Sequence, residues 1–136
     1  MRYIKNGKII MPDGEINDKV LVFSGKIVDL IDEDKIGVYG FGDVYDAEGG
    51  IIAPGFVDLH IHGYMGEDSS DGIEKGLLDM AEAITQNGVT SWLPTTMTLP
   101  LEQLEKVFDV IRGLMEKGHG GARIAGGVYA ESGPYG

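Results

Sequence analysis

His60 and His62 stand two residues apart, and successive side chains of a strand alternate between faces, so in an extended segment both imidazoles share one face. Two imidazoles at that spacing can reach one cation. Glu131 ends an apolar segment just before Ser132-Gly133-Pro134-Tyr135 and adds a hard oxygen donor, the kind that complements imidazole around zinc, iron or manganese. The ordinary alternative for each is a polar strand-end residue that is solvated or bonded to backbone. A shared position at the ends of strands favours ligation, so His60, His62 and Glu131 form the expected metal set. Asp58 lies deeper on the histidine face and is expected to orient a neighbour.

Other candidates carry less. The chain has no cysteine, which excludes a thiolate nucleophile, a thiolate metal site and a disulfide framework. His119, between Gly118 and Gly120, reads as a solvated residue at a helix C-terminus. Ser69-Ser70 have no evident base in the sequence to make a nucleophile. Gly37, Gly40 and Gly42 are followed by no helical pattern, so they read as turns and not as a phosphate loop. Trp92 and Phe108 fit apolar stripes and are expected in the core, whereas Glu102, Glu105, Asp109 and Glu116 read as a solvated helix face.

The elements that must position the metal set follow from periodicity. Ile51 to Gly63 reads as a strand flanked by breakers, and Tyr64 to Asp71 as a long loop that offers a cover for substrate. A helix follows with Ile73, Leu77, Met80, Ala81 and Ile84 on one face, capped by Asp71 and stopped by Asn87-Gly88. Val89 to Leu93 is a second strand. A second helix starts near Thr98 and Pro100, buries Leu101, Leu104, Val107, Phe108, Ile111, Leu114 and Met115, and stops at Gly118. Ala122 to Glu131 is a third strand. Strands alternating with amphipathic helices predict a parallel sheet, with its chemistry beyond the carboxyl ends of the strands, where His60, His62, Thr95-Thr96 and Glu131 fall. Ahead of it, residues 1 to 50 show short strands and tight turns. Asn6-Gly7 and Ser24-Gly25 each predict a hairpin in a small antiparallel sheet or sandwich.

Composition bounds the function class. Twenty-two acids against 11 bases, a net charge of -11 over 136 residues, argue against a binder of nucleic-acid phosphates. No apolar run approaches the about 18 residues of a membrane span, and the N-terminus has no apolar signal segment. The expectation is a cytoplasmic protein that binds neither nucleic acid nor membrane.

Ala53-Pro54-Gly55-Phe56-Val57-Asp58-Leu59-His60-Ile61-His62-Gly63 resembles the PGF(I/V)DxHxHG signature of the amidohydrolase superfamily. Within it, Gly88-Val89-Thr90-Ser91-Trp92-Leu93-Pro94-Thr95-Thr96 is similar to the GVTSFLPT segment of N-acetylglucosamine-6-phosphate deacetylases, and Ala130-Glu131-Ser132-Gly133-Pro134-Tyr135 to their (L/A)EGP(F/Y). The resemblance implies an α/β fold: residues 1–52 as a small antiparallel β-sandwich segment and residues 53–136 as the first β-α-β-α-β units of a (β/α)8 barrel. It also implies a metal-dependent hydrolase that releases acetate from a phosphorylated N-acetyl amino sugar. Glu131 would be the principal ligand, with His60 and His62 serving a second ion where two are kept, so one or two divalent ions are expected.

Two departures stand out. Ser132 separates Glu131 from Gly133-Pro134, and the family's remaining metal histidines and its catalytic aspartate lie on later strands, so no catalytic residue is expected within these 136 residues. On this reading the chain is an N-terminal fragment or truncated product with little activity alone. Two alternatives stay open: another cytoplasmic amidohydrolase acting on a cyclic amide, and a noncatalytic module that self-associates as a homo-oligomer through an exposed edge strand.

Overall fold

The protein's structure is a computed structural model, and it describes residues 1–131. The chain divides into two compact units, Met1–Pro54 and the residues from Gly55 onward.

The first unit holds β1 (Arg2–Lys5), β2 (Lys8–Met11), β3 (Gly14–Ile16), β4 (Val20–Phe23), β5 (Ile27–Ile31), β6 (Asp43–Asp46) and β7 (Ile51–Ile52). They form one sheet in the order β5-β4-β1-β6 and another in the order β3-β2-β7. The Ser24-Gly25 hairpin forms, joining β4 to β5. The Asn6-Gly7 hairpin does not: β1 pairs with β4 and β6, β2 with β3 and β7, and the dipeptide carries the chain from one sheet to the other. Asn6 takes the positive φ such a turn needs, at 55°, but Gly7 serves close approach instead, since a β-carbon there would lie 2.6 Å from Ile52 Cδ1.

The expected antiparallel head is also corrected, because the β1/β6 and β2/β7 pairs are parallel. Parallel neighbours need a long crossover, and the segment between Ile31 and Asp43, with a 3-10 turn at Glu33–Lys35, supplies one for β6. Tyr3, Val20, Val22 and Ile31 form the core of this unit. The buried Tyr3 hydroxyl donates to Gly40 O at 2.7 Å.

The second unit holds β8 (Phe56–Ile61), β9 (Gly63–Tyr64), β10 (Glu67–Asp68), α1 (Glu74–Ala83), β11 (Val89–Thr96), α2 (Leu101–Lys117), β12 (Arg123–Ile124) and β13 (Tyr129–Ala130). β11 is central and pairs in parallel with β8, β12 and β13. Trp92 on β11 is fully buried among Leu77, Met80, Ala81 and Ile84 from the first helical segment and Val107, Ile111 and Leu114 from α2. The buried stripe of α2 recurs at helical spacing as Leu104, Val107, Ile111 and Leu114. It is narrower than expected, for Leu101 and Met115 are exposed and Phe108 is half-buried. No helix among the described residues is long and apolar enough to cross a membrane.

Three local expectations change. Asp71 does not cap α1. It belongs to a 3-10 turn, Ser69–Asp71, which Asp68 caps by accepting from Ser70 N at 2.7 Å, and Gly72 in the left-handed region (φ 60°) separates turn from helix. The third strand is two pieces, β12 and β13, because Gly126 (φ 93°) and Gly127 (φ 149°) leave the extended region between them. The loop after His62 contains the ribbon β9/β10, turned at Met65 (φ 56°) and Gly66 (φ 90°).

Candidate metal centre

Parallel pairing brings the carboxyl ends of three strands to one edge. Ile61 pairs with Pro94, Thr95 with Tyr129 and Thr96 with Ala130, so His62 and Glu131 each follow directly on a paired strand end. β8 starts tight against β11: Phe56 N donates to Gly88 O at 2.8 Å, and a β-carbon on Gly55 would lie 2.1 Å from Thr90 Cγ2. That approach is the physical reason for glycine in Pro54-Gly55-Phe56. Near the other end the ladder slips, from Asp58 opposite Trp92 to Ile61 opposite Pro94. Strict alternation fails across this bulge. Leu59 is exposed whereas Ile61 packs on the core.

At this edge His60, His62 and Glu131 come together. His60 Nε2 lies 3.1 Å from His62 Nε2, and Glu131 Oε1 lies 3.2 Å from the first and 3.4 Å from the second. His60 is exposed, while His62 and Glu131 are half-buried. The His60 ring packs edge-on against His62 at 4.9 Å between centroids and tilted against Tyr129 at 5.2 Å. Glu131 is held through its backbone, its N donating to Thr96 O at 3.4 Å and its O accepting from Thr98 Oγ1 at 3.3 Å. Asp58 does orient a neighbour, accepting from His60 N at 3.0 Å.

The donor set fits a divalent cation. Adjacent donors of a tetrahedral zinc site, with bonds of about 2.0–2.2 Å, stand about 3.3–3.6 Å apart, close to the three separations seen here. A single cation at this point would meet all three donor atoms together. Three protein donors also match sites that keep one position open for water or substrate. His62 Nδ1, the atom that would donate outward from a ligating imidazole, is buried with no partner among the described residues.

Other expected residues stay apart from this cluster. His119 Nδ1 lies 2.6 Å from Gly120 O, beyond the end of α2. Ser69 and Ser70 are buried at the same edge in backbone roles: Ser69 N donates to His62 O at 2.7 Å, and Ser70 Oγ accepts from Met97 N at 2.9 Å. Ser132 and Gly133-Pro134-Tyr135 lie outside the described residues. A groove of about 550 Å³ in the first unit competes by size, but its lysines are paired: Lys5 with Glu33 at 2.6 Å, Lys8 with Glu15 at 3.2 Å, and Lys19 with Asp32.

Sequence reasoning missed Tyr129, whose ring packs on His60, and it placed Thr95 at this edge without the second feature, the part its hydroxyl takes in the bulge. A proline inside a strand, Pro94, was the available signal for the second, because it cannot donate to a ladder.

No protein-family model matches this sequence. The chain is 30% identical over 128 residues to an N-acetylgalactosamine-6-phosphate deacetylase of Escherichia coli O157:H7, spanning 94% of this chain and 32% of that protein. It is 31% identical over 120 residues to a dihydroorotase of Staphylococcus aureus, spanning 85% and 26%. The solved structure of N-acetylglucosamine-6-phosphate deacetylase from Pasteurella multocida superposes with a TM-score of 0.83 at 26% identity, covering 96% of this chain and 34% of that one. The chain thus spans about a third or less of the length of the proteins it matches. By sequence and by fold, it is similar along nearly all of its length to about a third of these amino-sugar-6-phosphate deacetylases, which are amidohydrolases.

Proposed function

We propose that this protein is a metal-dependent amidohydrolase that releases acetate from N-acetylglucosamine 6-phosphate, and that His60, His62 and Glu131 hold its cation, zinc, iron or manganese. The observation that carries the reading is the convergence of His60 Nε2, His62 Nε2 and Glu131 Oε1 at the ends of parallel strands. A bound divalent cation supplies the Lewis acidity that activates water and polarises an amide carbonyl at neutral pH. The chain's own part is to bind and orient. Two imidazoles and one carboxylate set the donor set and shape of the site, Asp58 fixes the backbone of His60, and Thr98 with Thr96 fixes that of Glu131. The three parallel strands with their two helices are read as the first part of a (β/α)8 barrel (residues 53–136) behind a β head (residues 1–52). Their pairing order and the TM-score to the deacetylase support this.

A dihydroorotase-like activity on a cyclic amide is the second reading, favoured only by the comparable identity to that enzyme. The deacetylase match runs over more of the chain, 94% against 85%.

Two measurements test the proposal. Equilibrium dialysis with Zn²⁺ should show one high-affinity site that His60→Ala and Glu131→Gln each remove; unchanged binding in both variants would sink the metal assignment. An enzyme that carries these residues within a complete site should release acetate from N-acetylglucosamine 6-phosphate and leave dihydroorotate closed, and the opposite preference would transfer the assignment to cyclic amides.

A further inference from the structure

Thr95 joins the strands that carry all three proposed ligands. It is fully buried on β11, between β8 and β13. Its backbone pairs with Tyr129, two residues before Glu131. Its Oγ1 accepts from Ile61 N at 3.2 Å, the amide between His60 and His62, and donates to Leu93 O at 3.3 Å.

The need for a side chain at this point follows from the register. Between the pairs Asp58–Trp92 and Ile61–Pro94, three steps along β8 answer two along β11, so one residue of β8 is surplus in the segment that holds His60. A regular parallel ladder would give the Ile61 amide a backbone carbonyl of β11. At the slip the Ile61 amide donates instead to the Thr95 hydroxyl, while Pro94, with no N–H, offers β8 no donor of its own. Where the bulge sits decides whether the two imidazoles meet at one point or splay.

We propose that Thr95 is a positioning residue of the metal site: its hydroxyl pins the bulge of β8 in the register that aims His60 Nε2 and His62 Nε2 at one cation. This rests on the reading of His60, His62 and Glu131 as cation donors. The role is distinct from filling space. Valine has nearly the shape of threonine and lacks the hydroxyl, whereas serine keeps the hydroxyl and lacks the methyl group.

The test is Zn²⁺ affinity, by chelator competition, together with the visible spectrum of the Co²⁺-substituted chain, for Thr95→Val, Thr95→Ser and His60→Ala. The expected result is a loss of about 10- to 100-fold in affinity for Thr95→Val, with an altered Co²⁺ spectrum, and retention of both by Thr95→Ser. Wild-type affinity in a folded Thr95→Val chain, alongside lost binding in His60→Ala, would overturn the Thr95 role and leave the metal assignment standing. Unchanged binding in His60→Ala would instead overturn the metal assignment itself, and this inference with it. Should Thr95→Val fail to fold, Thr95→Ser still decides: weakened Zn²⁺ binding in a folded serine variant would show that the hydroxyl is not what holds the pair.

Discussion

Charged side chains pair at the surface in both units, Lys75 with Asp79 and Arg112 with Asp109 in the second among them, but the units differ in the buried polar atoms they leave open. In the first, charged side chains pair with one another at the surface: Lys5 with Glu33, Lys8 with Glu15, and both Lys19 and Lys35 with Asp32. In the second, three buried polar atoms, His62 Nδ1, Ser69 Oγ and Thr96 Oγ1, have no hydrogen-bond partner among the described residues. A buried polar atom without a partner costs about 1–3 kcal/mol, so a cluster of them calls for a ligand or further structure to explain it. All three belong to the carboxyl edge that gathers His60, His62 and Glu131. Charge density is therefore a poor guide to chemistry in this molecule. The first unit's charged pairs lie at a solvated surface, and the proposed cation site lies where polar atoms are buried and left open.

Their cores differ as well, and the largest expected effect follows from that. Trp92 is fully buried at the centre of the larger core, with its Nε1 donating to Ala122 O at 3.1 Å. Replacing it with alanine removes the side chain that both helices pack upon and is expected to cost about 3–5 kcal/mol. The loss should fall on the second unit alone. Hydrogen exchange should show β11, α1 and α2 losing protection while β1 and β4 keep theirs. Equal loss in both units would mean that they fold as one cooperative body, and the contrast drawn between them would not hold energetically.

How much of this was legible depends on the range of the interaction involved. The convergence of His60, His62 and Glu131 could be read because parallel order is a strong constraint: once strands alternate with helices, their carboxyl ends must share an edge, whatever the details of register. The stripe of α2 could be read because a 3.6-residue period is local. Asn6-Gly7 misled because turn propensity is local while strand pairing is not. β1 finds better partners in β4 and β6 than in β2, and the dipeptide follows. Asp71 misled similarly, since Asp68 reaches an amide first and Gly72 ends the turn. The bulge at Pro94 and the Thr95 hydroxyl depend on atoms in two strands more than thirty residues apart, and a periodic pattern does not encode a one-residue slip.

A smaller effect separates the units from the other side. Tyr3→Phe keeps the buried ring of the first core and removes only the hydroxyl that donates to Gly40 O. The expected cost is about 0.5–1.5 kcal/mol in urea unfolding, because one neutral hydrogen bond is lost and the carbonyl can recover part of it from water. Protection should fall around Gly37 to Gly42, with Zn²⁺ affinity at His60, His62 and Glu131 unchanged. A change in that affinity would show that the two units are coupled.

The smallest effect concerns the charges themselves. Hydrogen bonds from Lys19 first and then Lys35, the latter at 2.8 Å, hold the Asp32 carboxyl down from its ordinary 3.8 to about 2. Because the folded value lies below the unfolded one, the stabilisation is complete above about pH 4 and disappears as the pH falls through about 2. The carboxyl is roughly half exposed, so water and salt screen the pairs and the slope should be shallow, flattening further at high ionic strength. Asp32→Asn should remove that slope from the first unit and leave the second unit's acid response as it was. A carboxyl ¹³C titration of Asp32 measures this directly. A midpoint near 3.8 would show that Lys19 and Lys35 do not hold it in solution, and the first unit's surface would then be charged without being paired.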